Sequence, residues 1–195
     1  MIEALGDALP LVPTRSNWLQ VALADLDAVH ADHLHCERKA AQSALSLMRS
    51  YPDRLDLCEA MALLAHDETR HVVQVQQLMK RRAQPATFDH GDDYAAALRE
   101  QIRKKEPDRL LDRLLVFAVI EGRSAERLGM LAAALPDEKD RALYASLATA
   151  EVRHRDIFLS LARDAAPESW RERAVWLAEY EAEVLADRPV TARIH

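Results

Sequence analysis

The sequence is poor in glycine, aromatic residues and cysteine, and it lacks a long apolar run. Its only cysteines are Cys36 and Cys58, which do not form a Cys-x-x-Cys pair. They exclude a four-thiolate metal site and do not suggest a disulfide scaffold. No apolar stretch approaches the length needed to cross a bilayer, and the first residues lack a basic-then-apolar signal pattern. We therefore expect no membrane segment and a cytoplasmic location.

The charge is mixed in sign rather than concentrated. Lys and Arg number 26 against 32 Asp and Glu, which gives a formal net charge of −6. This balance argues against bulk affinity for nucleic acid, although it leaves room for a local basic patch. The charged fraction of 30% contains both signs and accompanies an apolar fraction of 49%, so disorder is not indicated.

The residues that are abundant favour α-helix. Ala, Leu, Glu and Arg are common, and they lose little rotamer freedom in a helix. No segment alternates with a period of two over a useful length, so we predict an all-α protein. Prolines divide the chain, because proline is rarely tolerated inside a helix. The predicted helices cover about residues 16–24, 25–50, 53–82, 93–105, 107–135, 137–165 and 167–187, with an irregular N-terminal lead and a loop over 83–92.

A repeat of about 84 residues relates two predicted helical hairpins. The run Glu37-Arg38-Lys39-Ala40-Ala41 matches Glu121-Gly122-Arg123-Ser124-Ala125, and Glu68-Thr69-Arg70-His71 matches Glu151-Val152-Arg153-His154. Each copy has one Glu on its first helix and a Glu-x-x-His motif on its second. Two such hairpins, at about 25–83 and 107–165, predict a four-helix bundle with a pseudo-two-fold axis and additional flanking helices.

All four glutamates of the repeat lie on the apolar side of their predicted helices. Glu68, for example, shares its helical stripe with Met61, Leu64, Ala65, Val72, Val75 and Met79. An unpaired buried carboxylate costs several kcal/mol, and four together repel one another. A bundle keeps them only by protonating them or by supplying cations, and two divalent ions cancel four carboxylate charges.

These motifs therefore predict a centre of two metal ions. Glu and His three residues apart lie on one helix face, so each pair can hold one ion while its Glu bridges toward the other. Carboxylate with imidazole suits iron or manganese, and the absence of thiolate ligands counts against structural zinc. One His per ion leaves open coordination positions, which favours oxygen chemistry. The predicted ligands are Glu37, Glu68, His71, Glu121, Glu151 and His154.

Three further residues are candidates for contact with these ligands. His33 shares the helical stripe of Glu37 and is a candidate hydrogen-bond donor to a ligand. Arg70 and Arg153 recur in the two Glu-x-x-His motifs, where an ion pair with a ligand carboxylate competes with simple surface exposure. We predict no catalytic residue beyond the metal ligands.

The same motifs resemble the family of tRNA hydroxylases that act on 2-methylthio-N6-isopentenyladenosine (the MiaE type). The resemblance extends from about Trp18 onward and rests on residues 32–41 (DHLHCERKAA), 68–71 (ETRH), 120–127 (IEGRSAER) and 151–154 (EVRH). It implies a single ferritin-like domain over 1–195 that holds two iron ions as a di-iron centre. The chain departs from the family pattern at Leu34, His35 and Gly122, none of which is a predicted ligand.

By this resemblance, the chain is a monooxygenase that hydroxylates the isopentenyl group of the modified adenosine next to the tRNA anticodon. The reaction uses O2 and two electrons. The electrons come from an external reductase partner, because this chain carries no flavin or iron–sulfur motif.

A tRNA substrate requires basic groups around a pocket that accepts an unpaired loop base. One candidate cluster, at a helix end, is Lys80, Arg81 and Arg82. The other surrounds Pro107 and comprises Arg99, Arg103, Lys104, Lys105, Arg109 and Arg113. This second cluster is interleaved with Glu100, Glu106, Asp108 and Asp112, so a solvated face of mixed charge is an equally good interpretation.

Two other interpretations remain open. Ferritins and rubrerythrins share the six-ligand pattern, so a peroxidase or ferroxidase of that kind is the alternative enzyme. The Cys-rich iron domain that is usual in rubrerythrins is missing. A metal-free helical adaptor is the non-enzyme alternative, and unchanged stability on chelation would support it.

Overall fold

A computed structural model describes residues 5–85 and 87–195 of the chain. Residues 1–4 of the predicted N-terminal lead and residue 86 of the predicted loop lie outside the described residues. The α-helices are α1 (Trp18–Ala24), α2 (Leu26–Ser50), α3 (Leu55–Arg81), α4 (Asp93–Glu100), α5 (Asp108–Ala134), α6 (Glu138–Ala165) and α7 (Trp170–Ala186), and a short 3-10 helix spans Leu5–Ala8. No strand occurs in the described ranges, so the all-α prediction is confirmed.

Aspartate side chains begin two helices of the bundle. Asp25 accepts the backbone N–H of Ala28 at the start of α2, and Asp137 accepts that of Asp140 at the start of α6. Each carboxylate satisfies a donor that has no partner within the helix. No helix found in residues 5–85 and 87–195 is long and apolar enough to cross a membrane.

Helix α4 is shorter than the sequence predicts, because a tertiary contact takes the place of the backbone hydrogen bonds that would continue the helix. The prediction extended to residue 105, whereas the helix ends at Glu100. The backbone N–H of Arg103 donates to Asp112 at 2.8 Å, and its guanidinium donates to the same carboxylate at 2.8 and 2.9 Å. The basic residues 103–105 therefore lie in a loop that α5 holds in place.

Helices α2, α3, α5 and α6 form a four-helix bundle made of two hairpins. Helix α2 packs mainly on α3, and α5 packs mainly on α6, while α3 and α6 join the two pairs. Helix α7 covers α5, and α1 and α4 flank the same bundle. Two apolar clusters fill the interior on either side of a polar layer, one around Met61, Leu114 and Phe158 and the other around Val75, Leu128 and Leu147.

The bundle has two distinct ends. At one end α3 finishes beside the start of α6, where Arg81 and Arg82 both bind Asp140. At the other end α2 finishes beside the start of α5, where the Tyr51 hydroxyl donates to Glu106 at 2.7 Å. A 27-residue helix such as α3 is about 40 Å long at the usual rise per residue. Groups at the two ends are therefore far apart.

Candidate metal centre

The six predicted metal ligands lie together in the polar layer of the bundle. Each is at most 5% exposed. They form two overlapping groups of four, and within each group the ligand atoms lie within 4.8 Å of one another. Glu68 and Glu151 belong to both groups. Glu37 and His71 complete one of them, and Glu121 and His154 complete the other.

Both imidazoles point their Nδ1 atoms at carboxylates. His71 Nδ1 lies 3.3 Å from Glu37 Oε2, 3.4 Å from Glu68 Oε2 and 3.6 Å from Glu151 Oε1. His154 Nδ1 lies 2.7 Å from Glu68 Oε1 and 3.3 Å from Glu151 Oε2. Each nitrogen can satisfy only one of these oxygens by hydrogen bonding, so the arrangement leaves acceptors in excess of donors.

The electrostatics of this layer demand positive charge. Burial and the neighbouring Glu151 and Glu37 carboxylates raise the pKa of Glu68 to about 8. Burial and Glu151 also hold the pKa of Glu121 well above its usual range. Although burial opposes it, contact with the carboxylates raises the pKa of both His71 and His154 to about 10. Without a cation, the layer is neutralised only by taking up protons.

The donor set fits two divalent metal ions. Neither oxygen of Glu68 has a hydrogen bond of normal geometry, and neither does His71 Nδ1, among the atoms that the structure describes. A buried polar atom without a partner costs about 1–3 kcal/mol. Metal coordination would satisfy these atoms together, and carboxylate oxygens with imidazole nitrogens are the donors that iron and manganese take.

His33 contacts a predicted ligand directly. Its Nε2 lies 2.6 Å from Glu37 Oε1, and both side chains are buried. Burial opposes ionisation of Glu37, but the hydrogen bonds from His33 and His71 hold the pKa of that carboxyl below its usual range. The His33 ring stacks on Tyr144 with centroids 5.6 Å apart. His33 thus orients a predicted ligand.

Arg70 and Arg153 do not touch a predicted ligand carboxylate. Both are more than half exposed, and both bind Asp67, at 3.1 and 2.6 Å. Asp67 Oδ2 in turn lies 3.6 Å from Nε2 of His154. Asp67 therefore connects the two arginines to the centre. Sequence reasoning missed Asp67, and its position beside Glu68 was the one available signal.

A cleft between α2, α4 and α5 leads to the centre. Glu37, Glu68, Glu121 and Glu151 lie at its inner end. Small and apolar side chains line its walls, namely Ala40, Ala95, Phe117 and Ile120. Lys39, Ser43 and the exposed Arg99 also line the cleft.

The two predicted basic clusters lie at opposite ends of the bundle. Arg81 and Arg82 are engaged by Asp140 at the end of α3. At the other end, Arg103 is engaged by Asp112 and Asp108. The residues around it form a shallow basic groove, lined by Arg99, Ile102, Arg103, Lys104, Arg109 and Arg113.

The basic groove adjoins the cleft, because Arg99 lines both. Within the described residues, no carboxylate pairs with Arg99, Lys104 or Arg109. Lys105 is exposed nearby but does not line the groove. The interleaved acidic residues thus neutralise only part of this cluster: Asp108 and Asp112 engage Arg103, and Glu106 binds Tyr51.

Residues 5–195 match the family model described as tRNA-(MS[2]IO[6]A)-hydroxylase (MiaE). A Pseudomonas putida protein named tRNA 2-(methylsulfanyl)-N(6)-isopentenyladenosine(37) hydroxylase is 40% identical over 190 residues, which cover 97% of this chain and 92% of that protein. A Salmonella typhimurium protein of the same name is 29% identical, and the similarity covers 94% of this chain and 86% of that protein.

A solved structure also resembles the chain. It is described as Protein 43 with aldehyde deformylating oxygenase activity from Synechococcus, and the TM-score is 0.89 at 38% sequence identity. The similarity covers 96% of this chain and 95% of that one. Both the bundle and its flanking helices are therefore shared along nearly the whole length.

Proposed function

The chain belongs to the tRNA-(MS[2]IO[6]A)-hydroxylase (MiaE) family, and we propose from that premise that its buried carboxylate–histidine layer holds two iron ions. It is an enzyme that hydroxylates the isopentenyl group of 2-(methylsulfanyl)-N6-isopentenyladenosine in tRNA. The fold is ferritin-like, and family membership favours this reaction over a peroxidase or ferroxidase. The proposed ligands are Glu37, Glu68, His71, Glu121, Glu151 and His154. We propose O2 as the oxidant and the cytoplasm, where tRNA is found, as the location.

The reaction balances with one molecule of O2, two electrons and two protons. One oxygen atom enters a C–H bond of the isopentenyl group to give an alcohol, and the other leaves as water. The iron ions, when bound, would supply the activation of O2. An external reductase would supply the two electrons.

The protein's own residues hold and orient the ions. Glu68 and Glu151 would help to hold both ions, because these carboxylates belong to both groups of four. The ligand set of one ion would be completed by Glu37 and His71. That of the other would be completed by Glu121 and His154. His33 would fix the orientation of Glu37 through its 2.6 Å contact. The four glutamates line the cleft, so a substrate in the cleft would reach the ions.

The observation that carries the proposal is the cleft that opens directly onto the ligand layer. Its apolar walls at Ala40, Ala95, Phe117 and Ile120 suit the hydrocarbon isopentenyl chain. Lys39, Ser43 and Arg99 offer polar groups to the adenosine. An unpaired loop base could enter such a cleft while its backbone stayed outside.

We further propose that the basic groove holds the tRNA backbone next to the inserted base. Arg99 links the groove to the cleft, and the cations of Lys104 and Arg109 are free to contact phosphates. The cluster at Lys80, Arg81 and Arg82 suits this role less well, because it lies at the opposite end of the bundle and two of its cations bind Asp140.

The direct test is mass spectrometry of nucleosides from a reconstituted reaction. Iron-loaded chain, a chemical reductant, O2 and tRNA that carries the isopentenyl modification are incubated together. We expect the modified nucleoside to gain one oxygen atom, and isotopically labelled O2 to contribute it. Glu121→Ala removes one proposed ligand of a single ion and should abolish the product.

Two outcomes would contradict the proposal. Consumption of peroxide without any hydroxylated nucleoside, at two irons per chain, would favour the peroxidase alternative. A Glu121→Ala protein that still binds two irons normally would contradict the ligand assignment.

A further inference from the structure

Beside the cleft, but separate from the six ligands, three metal-binding side chains converge. They are Cys36 on α2, Asp92 at the start of α4, and His195 in the segment that follows α7 (residues 187–195). Their ligand atoms lie within 4.8 Å of one another. Cys36 and Asp92 are more than nine-tenths buried, and the His195 side chain is 6% exposed. All three line the cleft.

The distances around His195 are close to those of a tetrahedral metal site. Its Nδ1 lies 3.3 Å from Cys36 Sγ and 3.3 Å from Asp92 Oδ2. A zinc-class ion binds sulfur at about 2.3 Å and nitrogen or oxygen at about 2.0–2.2 Å, so tetrahedral angles place a nitrogen–oxygen pair about 3.3–3.5 Å apart and a sulfur–nitrogen pair about 3.5–3.6 Å apart. The distance from Nδ1 to Asp92 Oδ2 fits the first range, and the distance from Nδ1 to Cys36 Sγ is about 0.2 Å shorter than the second.

Hydrogen bonding alone leaves the cluster incompletely satisfied. Nδ1 can engage only one of its two neighbours, and the other acceptor within reach of the Cys36 thiol, Asp32 Oδ2, lies 3.8 Å away. Asp92 Oδ2 has no hydrogen bond of normal geometry among the described atoms, although Oδ1 accepts the backbone N–H of Ala95. A 3.3 Å contact is also long for a charge-assisted hydrogen bond. A cation would satisfy the thiolate, the imidazole and the carboxylate together.

The His195 ring is held in the orientation that a metal ligand needs. Its other nitrogen, Nε2, lies 2.8 Å from the hydroxyl of Ser124, and its face stacks on Tyr94. A partner on the second nitrogen is the usual companion of a metal-bound histidine. The preceding residues are also anchored, because Arg193 and the backbone N–H of Ile194 both donate to Asp32.

We propose that Cys36, Asp92 and His195 bind one zinc-class divalent cation in the wall of the cleft. Asp32 does not serve as the fourth ligand, since both its oxygens are engaged by Arg193 and Ile194. The fourth position faces the cleft and takes water. On binding, the thiol of Cys36 releases its proton to solvent. The ion ties the segment 187–195 to α2 and α4, and this role does not depend on the proposed hydroxylation.

Cobalt(II) is the probe, because its bond to a thiolate gives a charge-transfer absorption and zinc is spectroscopically silent. The iron-loaded full chain is titrated with Co²⁺ under reducing conditions. We expect one equivalent to produce the thiolate band, and Zn²⁺ to displace it. The band cannot arise from the six-ligand centre, which contains no cysteine.

Variants identify the ligands. Cys36→Ser should abolish the band with the iron content unchanged, whereas Cys58→Ser, the matched control at the other cysteine, should retain it. His195→Ala should weaken Co²⁺ binding at least tenfold, and Ser124→Ala should weaken it about 10–100-fold. These two variants carry the test if Cys36→Ser does not fold.

The proposal is wrong if the wild-type chain shows no thiolate band with excess Co²⁺. It is also overturned if the band is lost in Cys58→Ser instead, or if His195→Ala binds Co²⁺ as tightly as the wild type. Those results would mean that the three side chains form a hydrogen-bonded clamp for the segment.

Discussion

Asp67 lies between two exposed arginines and a buried imidazole. Arg70 and Arg153 hold its carboxylate, and although burial opposes ionisation, these cations keep the pKa of Asp67 below its usual range. The carboxylate is therefore charged at neutral pH where it faces Nε2 of His154. A carboxylate charge 3.6 Å from that nitrogen favours the tautomer with its proton on Nε2, which leaves Nδ1 free to bind metal.

Asp67→Asn should weaken binding of the ion held by His154, because the amide keeps the shape but loses the charge. We expect the affinity of this ion to fall about 10–100-fold. The test is to measure the iron that each chain retains as the chelator concentration increases. The control is Asp164→Asn. The Asp164 carboxylate is exposed and pairs with Arg163, its neighbour on α6. Equal iron loss from both variants would rule out the role.

The positions of single residues in the buried polar layer were predictable where the repeat marks them twice. The six proposed ligands follow from spacing and from carboxylates on apolar helix faces. Asp67 and His195 were not predictable, because neither has an equivalent in the other copy. Their contacts depend on how distant helices and the segment 187–195 pack. The spacing of residues within one helix does not predict that packing.

At the scale of elements, the two hairpins differ in what covers them. Lys39 and Arg123 occupy equivalent positions in the repeat. Lys39 lines the open cleft, whereas Arg123 is fully buried and binds Glu181 of α7 at 2.8 and 2.9 Å. Tyr94 of α4 also donates to Glu181. On the second hairpin, α7 therefore covers the side that bears Arg123. The equivalent side of the first hairpin, which bears Lys39, remains open.

Glu181→Ala should destabilise the protein by about 1–3 kcal/mol, because the buried Arg123 guanidinium loses two hydrogen bonds although Glu126 still pairs with it. The free energy of unfolding in urea measures this. Glu179→Ala, at an exposed position on the same helix, should change it by less than about 0.5 kcal/mol. Similar losses for the two variants would show that the ion pair is not what attaches α7.

Most helix bounds could be predicted from proline positions and periodicity, whereas the end of α4 could not. Local propensity permits helix through residue 105, but Asp112 captures the backbone of Arg103. That carboxylate lies on the next helix, and its reach across the loop is a tertiary property. Because Arg103 also pairs with the Asp112 carboxylate, its charge is not free to contact phosphates.

At the scale of the whole molecule, three cations that have no carboxylate partner among the described residues, Arg99, Lys104 and Arg109, line one groove at one end of the bundle. The basic groove there continues into the cleft through Arg99. A chain with a net charge of −6 thus presents a local basic surface where the substrate would enter. Composition could not show this, because it depends on which acidic residues engage which basic ones.

Replacing Arg99, Lys104 and Arg109 by Ala should weaken tRNA binding and lower its dependence on salt. Losing three phosphate contacts should reduce the slope of log affinity against log salt concentration by about 2–3. Binding titrations at several salt concentrations measure both. Lys80→Ala with Lys139→Ala, exposed lysines at the other end, is the control. A larger effect in the control would place the tRNA at that end.

The sharing of Glu68 and Glu151 between the two ligand groups bears on how the repeat arose. One hairpin contributes three residues to the group around His71, and the fourth, Glu151, comes from the other hairpin; Glu68 does the same for the group around His154. A lone ancestral hairpin would have held an incomplete site. This geometry favours an ancestor that already paired with its own copy, as a homodimer whose symmetry axis passed between the two ligand groups. Fusion of the two copies into one chain would have allowed the halves to diverge, one toward an open substrate entrance and the other toward a closed wall.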